Sequence, residues 1–408
     1  MTLKEIRNQF PILDTRVYGK PLVYLDNAAT AQRPVSVVDG WVASVNARNA
    51  NLHRAVHRLA ADATEEYEKA RDAVKEFLNA PSREEIIFTS GTTASINLVA
   101  FSFGEAFVKE GDEVIVSVSE HHSNIVPWQM MCGRKNAVIK VLEIDENGVL
   151  KVEALQKLIS QRTKIIAISH ISNVLGLVNP VKEIVETAHG RGVPVLVDGA
   201  QGIVHEKVDV QDMDCDFYAF SGHKLYAATG TGVLFGKKKW LEQMPPFMGG
   251  GEMIETVGFE KTSYAPLPRK FEAGTQNING TPSLVPAILF VDACRRSSEV
   301  CREQAAITGF LLDYFRRDSR IKLYGVPRRT NEKIPLFSIS VQGAHHEDLA
   351  LLLDKMGIAV RSGQMCAEPL MDRFGVTGML RASFAPYNTM QEAEYFAQCL
   401  NKAINMLV

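Results

Sequence analysis

The sequence predicts an α/β protein with a mostly parallel, seven-stranded sheet between helices and a smaller α+β domain after it. Three observations predict this. From about residue 85 to 236, short β-rich runs alternate with stretches whose apolar residues have helical spacing. The chain has 408 residues, more than one compact core usually holds. Its composition, 46% hydrophobic and 23% charged, is that of a globular protein with a sizeable core.

The strands are expected at 86–89, 113–118, 138–143, 164–169, 194–198, 217–221 and 232–235. Between them, 93–109, 152–160 and 181–191 read as helices. This alternation puts helices on both faces of the sheet and a ligand site beyond the carboxyl ends of the strands. Residues 245–268, rich in Gly and Pro, read as an extended loop or arm. A helical stretch is expected over 282–315, with Cys294 and Cys301 on one face as packing residues. The remainder reads strand 336–341, helix 347–355, strand 358–361, strand 380–384 and helix 390–406, with connections short enough for antiparallel pairing. The expected organisation is a segment 1–20 packing with the small domain, a large domain over 21–285 and a small domain over 286–408.

Lys and Arg number 45 against 47 Asp and Glu, a formal net charge of -2, so no overall field favours nucleic acid or an anionic membrane. Six cysteines lie far apart without a C-x-x-C pair, which argues against a disulfide framework and a zinc cluster, and no metal is expected. The N-terminus lacks the apolar core of a signal peptide, and the longest apolar runs, such as 193–197, are too short to span a membrane. A cytoplasmic protein with small-molecule or protein partners is expected.

The chemistry concentrates at strand ends. The run 194–198 finishes on Asp198 beside small residues, which is either a cap or a functional carboxylate. The run 217–221 finishes on Ser221-Gly-His223-Lys224, and in a parallel sheet both ends open onto one crevice. An amine and an acid so placed suit pyridoxal phosphate, whose aldehyde condenses with a lysine and whose ring nitrogen needs an acid to hold its proton. Ser90-Gly-Thr92-Thr93 joins a strand to a helix start, where free N–H groups attract a phosphate; alone such a run is more often only a capped turn, and Asp198 and Lys224 give it weight. Glu120-His121-His122 offers an aromatic ring at the same edge. Adjacent histidines do not face one metal easily, so a ring stacked on the pyridine is the better reading for His121. Asn173 is either a cofactor ligand or a polar turn residue.

In the small domain, Arg361-Ser-Gly-Gln-Met-Cys366 sets a cysteine on a loop bounded by Gly and Pro, close in sequence to a cation that would favour its thiolate. Arg381 stands in an otherwise apolar strand, either salt-bridged or as a clamp for a substrate carboxylate.

These residues together resemble the pyridoxal-phosphate-dependent cysteine desulfurases of the class V aminotransferase family, in the type II branch of SufS-like and CsdA-like enzymes. The resemblance runs nearly end to end, through 24–30, Asn51-Leu-His53-Arg54, 90–93, 120–122, 172–176, 197–201, 221–224, 249–251, 272–275 and 361–366. It implies the fold of type I pyridoxal-phosphate enzymes and conversion of L-cysteine to L-alanine with sulfur passed to Cys366 as a persulfide. It makes Lys224 the cofactor lysine, Asp198 the partner of the ring nitrogen, Gln201 a donor to the phenolic oxygen and His121 the stacking ring. Thr92, Thr93, Ser221 and His223 would hold the phosphate, joined by Thr275 of a second subunit in a homodimer with composite active sites. Asn173, Arg361 and Arg381 would hold the substrate. A sulfur-acceptor protein with a reactive cysteine is the implied partner, supplying iron–sulfur cluster assembly or other sulfur pathways. Selenocysteine lysis at the same site and a non-catalytic scaffold for a sulfur carrier are the competing readings. The chain departs from the family pattern in two places: Gln364-Met365 precede Cys366 where relatives commonly carry one or two histidines, and Ala94 follows Thr93 where many carry an acid.

Overall fold

A computed structural model describes residues 1–53 and 56–408, so that Arg54 of the motif above lies outside the described residues. The large sheet comprises β1 (Ile86–Thr89), β2 (Glu113–Ser117), β3 (Val138–Leu142), β4 (Thr163–Ser169), β5 (Val195–Asp198), β6 (Phe217–Ser221) and β7 (Gly232–Gly236). All seven expected strands form, within a residue of their expected ends. Their order is β1-β7-β6-β5-β4-β2-β3, and only β7 runs antiparallel to its neighbours. β5 and β6 are buried at every position, which is why their sequences are apolar runs without alternation. The expected helices form as Thr92–Phe107, Val152–Leu158 and Val181–His189.

The smaller sheet comprises β8 (Ile321–Tyr324), β9 (Leu336–Val341), β10 (Arg361–Gly363) and β11 (Met379–Ser383), antiparallel in the order β8-β9-β11-β10. Helices Ser298–Arg317, His346–Lys355 and Met390–Leu407 contribute to its own apolar core, which includes Leu311, Leu353, Leu380 and Leu400. The N-terminal region is laced into this sheet. Val23–Tyr24 pair in parallel with Ile358–Ala359, and Leu25 bonds Ala359 on one side and Ser383 on the other, at 2.8 and 2.7 Å.

Four local expectations change. The stretch 282–315 is two helices, Leu284–Arg296 and Ser298–Arg317, because Ser297 leaves helical geometry and caps the second helix by accepting the Val300 N–H. Cys294 and Cys301 therefore share no helix face: the first is buried and the second exposed. The expected strand 358–361 divides, Ile358–Ala359 pairing with the N-terminal region while β10 pairs with β11. Residues 245–268 are not all loop, since Ile254–Val257 and Thr262–Tyr264 form a small hairpin. β8 has no counterpart among the expected strands.

Candidate active site

The carboxyl ends of β4, β5 and β6 and the loop after β10 meet around a cavity of about 550 Å³. Thr92, Thr93, His121, Asn173, Asp198, Gln201, Ser221, His223, Lys224, Arg361, Cys366 and Arg381 all line it. Thr275 alone among the expected site residues is not in its wall, and that residue is exposed.

Lys224 follows β6 through Gly222 and His223 and faces the cavity. Burial pushes its amine below the ordinary lysine range, partly countered by the Asp198 carboxylate. Among the described residues it makes no hydrogen bond, so a half-buried amine that lines the cavity is held free for another partner. Asp198 ends β5. Burial raises its carboxyl, while the Ala200 N–H, donating at 2.9 Å, and Lys224 lower it. That bond occupies one oxygen and leaves the other to the cavity. An orphan amine and a half-satisfied carboxylate on adjacent strand ends fit the aldehyde and ring nitrogen of pyridoxal phosphate.

The phosphate end fits as well. The Ser221 hydroxyl accepts the Thr92 N–H at 2.8 Å and pairs with the Thr92 hydroxyl at 2.7 Å, which ties the end of β6 to the first turn of helix Thr92–Phe107. The N–H groups of that turn lack intrahelical acceptors and, with the helix dipole, favour an anion. Gly91 precedes them with φ +153, a conformation that suits glycine. β7 approaches so closely that a Cβ on Gly232 would lie 2.3 Å from the Gly91 Cα. The Thr93 hydroxyl pairs with Ser123 at 2.7 Å, and His223 Nδ1 lies 3.2 Å from the Thr30 hydroxyl.

His121 caps the short turn that follows β2. Its Nδ1 accepts the Ser123 N–H at 3.0 Å, which leaves the ring proton on Nε2, and burial lowers its pKa to about 4. The ring is neutral at physiological pH. Beneath it, Glu120 is fully buried and bonded at 2.5 Å to Ser117, at 3.0 Å to the Ser169 N–H and at 2.7 Å to the Asn124 amide. Burial raises this carboxyl to about 7. Glu120 thus joins the ends of β2 and β4 under the His121 turn, a role the sequence showed only as an acid beside two histidines.

The Cys366 loop is preset. Met365 and Cys366 are consecutive non-glycine residues in the left-handed region, at φ +54 and +56. The Met365 carbonyl accepts the Asn173 amide at 2.9 Å and the Cys366 carbonyl accepts the His122 N–H at 2.7 Å. Glu368 N–H donates to His122 Nε2 at 3.1 Å. Met365 packs its side chain into the main core, while Cys366 is exposed at the cavity. Neither departure residue can donate a proton there, since Met365 is apolar and the Gln364 amide is directed to Glu368 at 3.1 Å.

Two expected ligands have other work as well. Asn173 uses its side-chain amide N–H on the Met365 carbonyl, while its main-chain carbonyl accepts Arg381 at 2.8 Å. Gln201 donates to the Ala28 carbonyl at 2.9 Å, which leaves one of its two N–H donors for the cavity. Arg361 and Arg381 both contact Asp26, at 3.0 and 3.2 Å. Asp26 stands within the 24–30 stretch but is not among the expected site residues. Among the described residues, no group of three or more His, Cys, Asp or Glu side chains is arranged to hold a metal, and no helix is long and apolar enough to cross a membrane.

A free lysine, an acid and an anion cradle at the ends of a mostly parallel sheet define an α/β enzyme of the pyridoxal-phosphate class. The chain belongs to the aminotransferase class-V family, whose profile matches residues 23–396. It is 46% identical over 402 residues to a probable cysteine desulfurase of Halalkalibacterium halodurans, covering 98% of both chains. To a cysteine desulfurase of Cronobacter sakazakii it is 44% identical over 394 residues, covering 96% of both. Among solved structures it is similar to the cysteine desulfurase CsdA of Escherichia coli, with a TM-score of 0.90 and 38% identity over the whole of both chains. Similarity to the cysteine desulfurase of Thermococcus onnurineus NA1 has a TM-score of 0.93 at 34% identity, covering 100% of this chain and 99% of that one.

Proposed function

We propose that this chain is a pyridoxal-phosphate-dependent cysteine desulfurase that takes sulfur from L-cysteine, leaves L-alanine and carries the sulfur as a persulfide on Cys366. The observation that carries the reading is the convergence of Lys224, Asp198 and the exposed Cys366 on one cavity. Asp198 would hold the ring-nitrogen proton, Gln201 would donate to the phenolic oxygen, and His121 would lie against the ring. Thr92, Thr93, Ser221 and His223, with the helix start, would hold the phosphate. When bound, the cofactor supplies an electron sink next to the substrate's Cα.

The protein's own groups then divide the work. Arg381 and Arg361 hold the substrate carboxylate, with Asn173 bracing Arg381, and this fixes the Cα near Lys224. Lys224, its amine favoured neutral by burial, takes the Cα proton. Neutral His121, carrying its proton on Nε2, is the nearby group able to donate one. The Cys366 thiolate attacks the substrate sulfur; an S–S bond forms as the Cβ–S bond breaks. Exposure of Cys366 leaves the persulfide within reach of a cysteine on an acceptor protein.

The large domain 21–285 carries the cofactor groups and the small domain 286–408 carries Cys366; segment 1–20 reaches the small domain through the Arg7–Glu392 ion pair at 2.8 Å, while its Ile6, Phe10 and Leu13 pack in the main core. The protein works as a cytoplasmic homodimer in which the partner's Thr275 completes the phosphate cradle. Supporting this are the exposure of Thr275 outside its own cavity and the exposed apolar residues Val38, Trp41, Val42 and Val45 on helix Val35–Ala47.

The test is to supply L-cysteine to the purified holoenzyme and to its Cys366→Ala variant, and to measure alanine and sulfide under reducing conditions. Both products from the parent, and a loss of at least about a thousandfold in the variant, are expected for removal of a nucleophile. Alanine formation that survives in the variant overturns the assignment of Cys366.

A further inference from the structure

Asp26 has no part in the reading above, yet it touches both arginines assigned to the substrate. β10 and β11 make Arg361 and Arg381 direct cross-strand partners, an arrangement that like charges disfavour. The N-terminal region, held by Leu25 to both Ala359 and Ser383, brings Asp26 between them. Its Oδ1 lies 3.2 Å from Arg381 Nη2 and its Oδ2 lies 3.0 Å from Arg361 Nη2. Two guanidinium groups and one carboxylate leave a single surplus positive charge facing the cavity. One amino-acid carboxylate neutralises it. Arg381 is almost wholly buried, and its Nε is a buried donor without a partner among the described residues.

We propose that Asp26 is a positioning residue that sets the strength of the carboxylate receptor: by sharing its carboxylate between Arg361 and Arg381 it holds their surplus at one charge, so that a monocarboxylate is bound firmly enough to be oriented and weakly enough to leave as product. This rests on the reading of Arg361 and Arg381 as the substrate's carboxylate ligands. A neutral side chain at 26 would leave the two guanidinium groups without the carboxylate between them, and the product's carboxylate would then meet a surplus of two charges instead of one.

The test measures binding of L-alanine and of L-alaninamide, which lacks the carboxylate, to the holoenzyme by calorimetry. In the parent, L-alanine should bind at least about tenfold more tightly than the amide, as a charge-assisted bidentate contact requires. Asp26→Asn should bind L-alanine about three- to tenfold more tightly still and leave the amide unchanged, while Arg361→Met weakens L-alanine. The double variant, with Arg381 alone and the surplus again one charge, should return L-alanine to within about threefold of the parent. If Asp26→Asn binds L-alanine no better than the parent, or if the double variant is weaker than Arg361→Met, Asp26 serves only to offset repulsion and the proposal fails while the receptor stands. If the parent does not distinguish the two ligands, the receptor reading itself fails. Should Asp26→Asn alone not fold, the double variant decides: affinity near the parent's supports the proposal, and more than about tenfold weakening overturns it.

Discussion

Asn173 donates its side-chain amide to the carbonyl oxygen of Met365 at 2.9 Å, one residue before the exposed thiol of Cys366. The Asn173 main-chain carbonyl also accepts Arg381, so this one residue contacts both Arg381, through its backbone, and the Cys366 loop, through its side chain. Asn173→Ala should slow sulfur transfer by about 10- to 100-fold and cost about 1–2 kcal/mol of stability, the Met365 carbonyl losing its donor. Asn173→Asp should be worse, since a carboxylate would face that carbonyl. Rapid-quench mass spectrometry of the Cys366 persulfide, with thermal melts of both variants, checks this. Persulfide formation at the parent rate in Asn173→Ala would separate the loop's geometry from its reactivity.

Gly232 is required by the backbone it faces. A Cβ there would meet Gly91 N and Cα at 2.4 and 2.3 Å, and neither atom can swing aside as a side chain does. Gly232→Ala should push the loop ahead of Thr92 out of place, weaken cofactor retention by about tenfold or more, and destabilise the protein by about 1–3 kcal/mol. Gly133, in helix Val126–Lys135 with nothing within 4 Å, is the control. Gly133→Ala should be neutral or stabilising by up to about 1 kcal/mol. Cofactor absorbance after gel filtration and melting temperature report both outcomes.

Glu120 gives a pH dependence whose sign follows from its burial. Its folded pKa is about 7 against an ordinary 4.5, so between those values the folded state binds more protons than the unfolded state. The contribution of Glu120 to stability therefore falls as pH rises from 4.5 to 7 and levels off above. His121, His170, His205 and His223, each lowered to about 4, act oppositely, making the parent more stable as pH rises from 4 to 6.5. Glu120→Gln should be less stable at pH 5, where Glu120 is protonated, because the acid's hydroxyl oxygen can still accept the Asn124 amide whereas the NH2 of glutamine cannot. Its deficit should shrink as pH rises to 7.5. Melts of parent and variant across that range test it, and a constant gap would mean that Glu120 does not titrate there.

Much of the site is legible in the sequence because it is made of strand ends. A buried parallel strand is a short apolar run, and the residue that interrupts it, Asp198 after β5 or the Ser221–Lys224 group after β6, is by construction at the edge where ligands bind. The small domain is harder to read. β10 is three residues long and its neighbour Ile358–Ala359 is two, so neither has a period to detect, and Ser297 divides two helices without a Gly or Pro to announce it.

By itself the sequence determined the seven-stranded sheet and the placing of Asp198 and Lys224 at its strand ends, since apolar runs and the polar residues that end them are local properties of the chain. Tertiary structure alone decided the sharing of Asp26 between two arginines more than 300 positions away, the Asn173 bond to the Met365 carbonyl, the Glu120 junction beneath His121, and the closeness of Gly232 to Gly91. Those contacts arise from how strands pair and loops pack across the chain, and no spacing along the sequence encodes which distant donor an oxygen will meet.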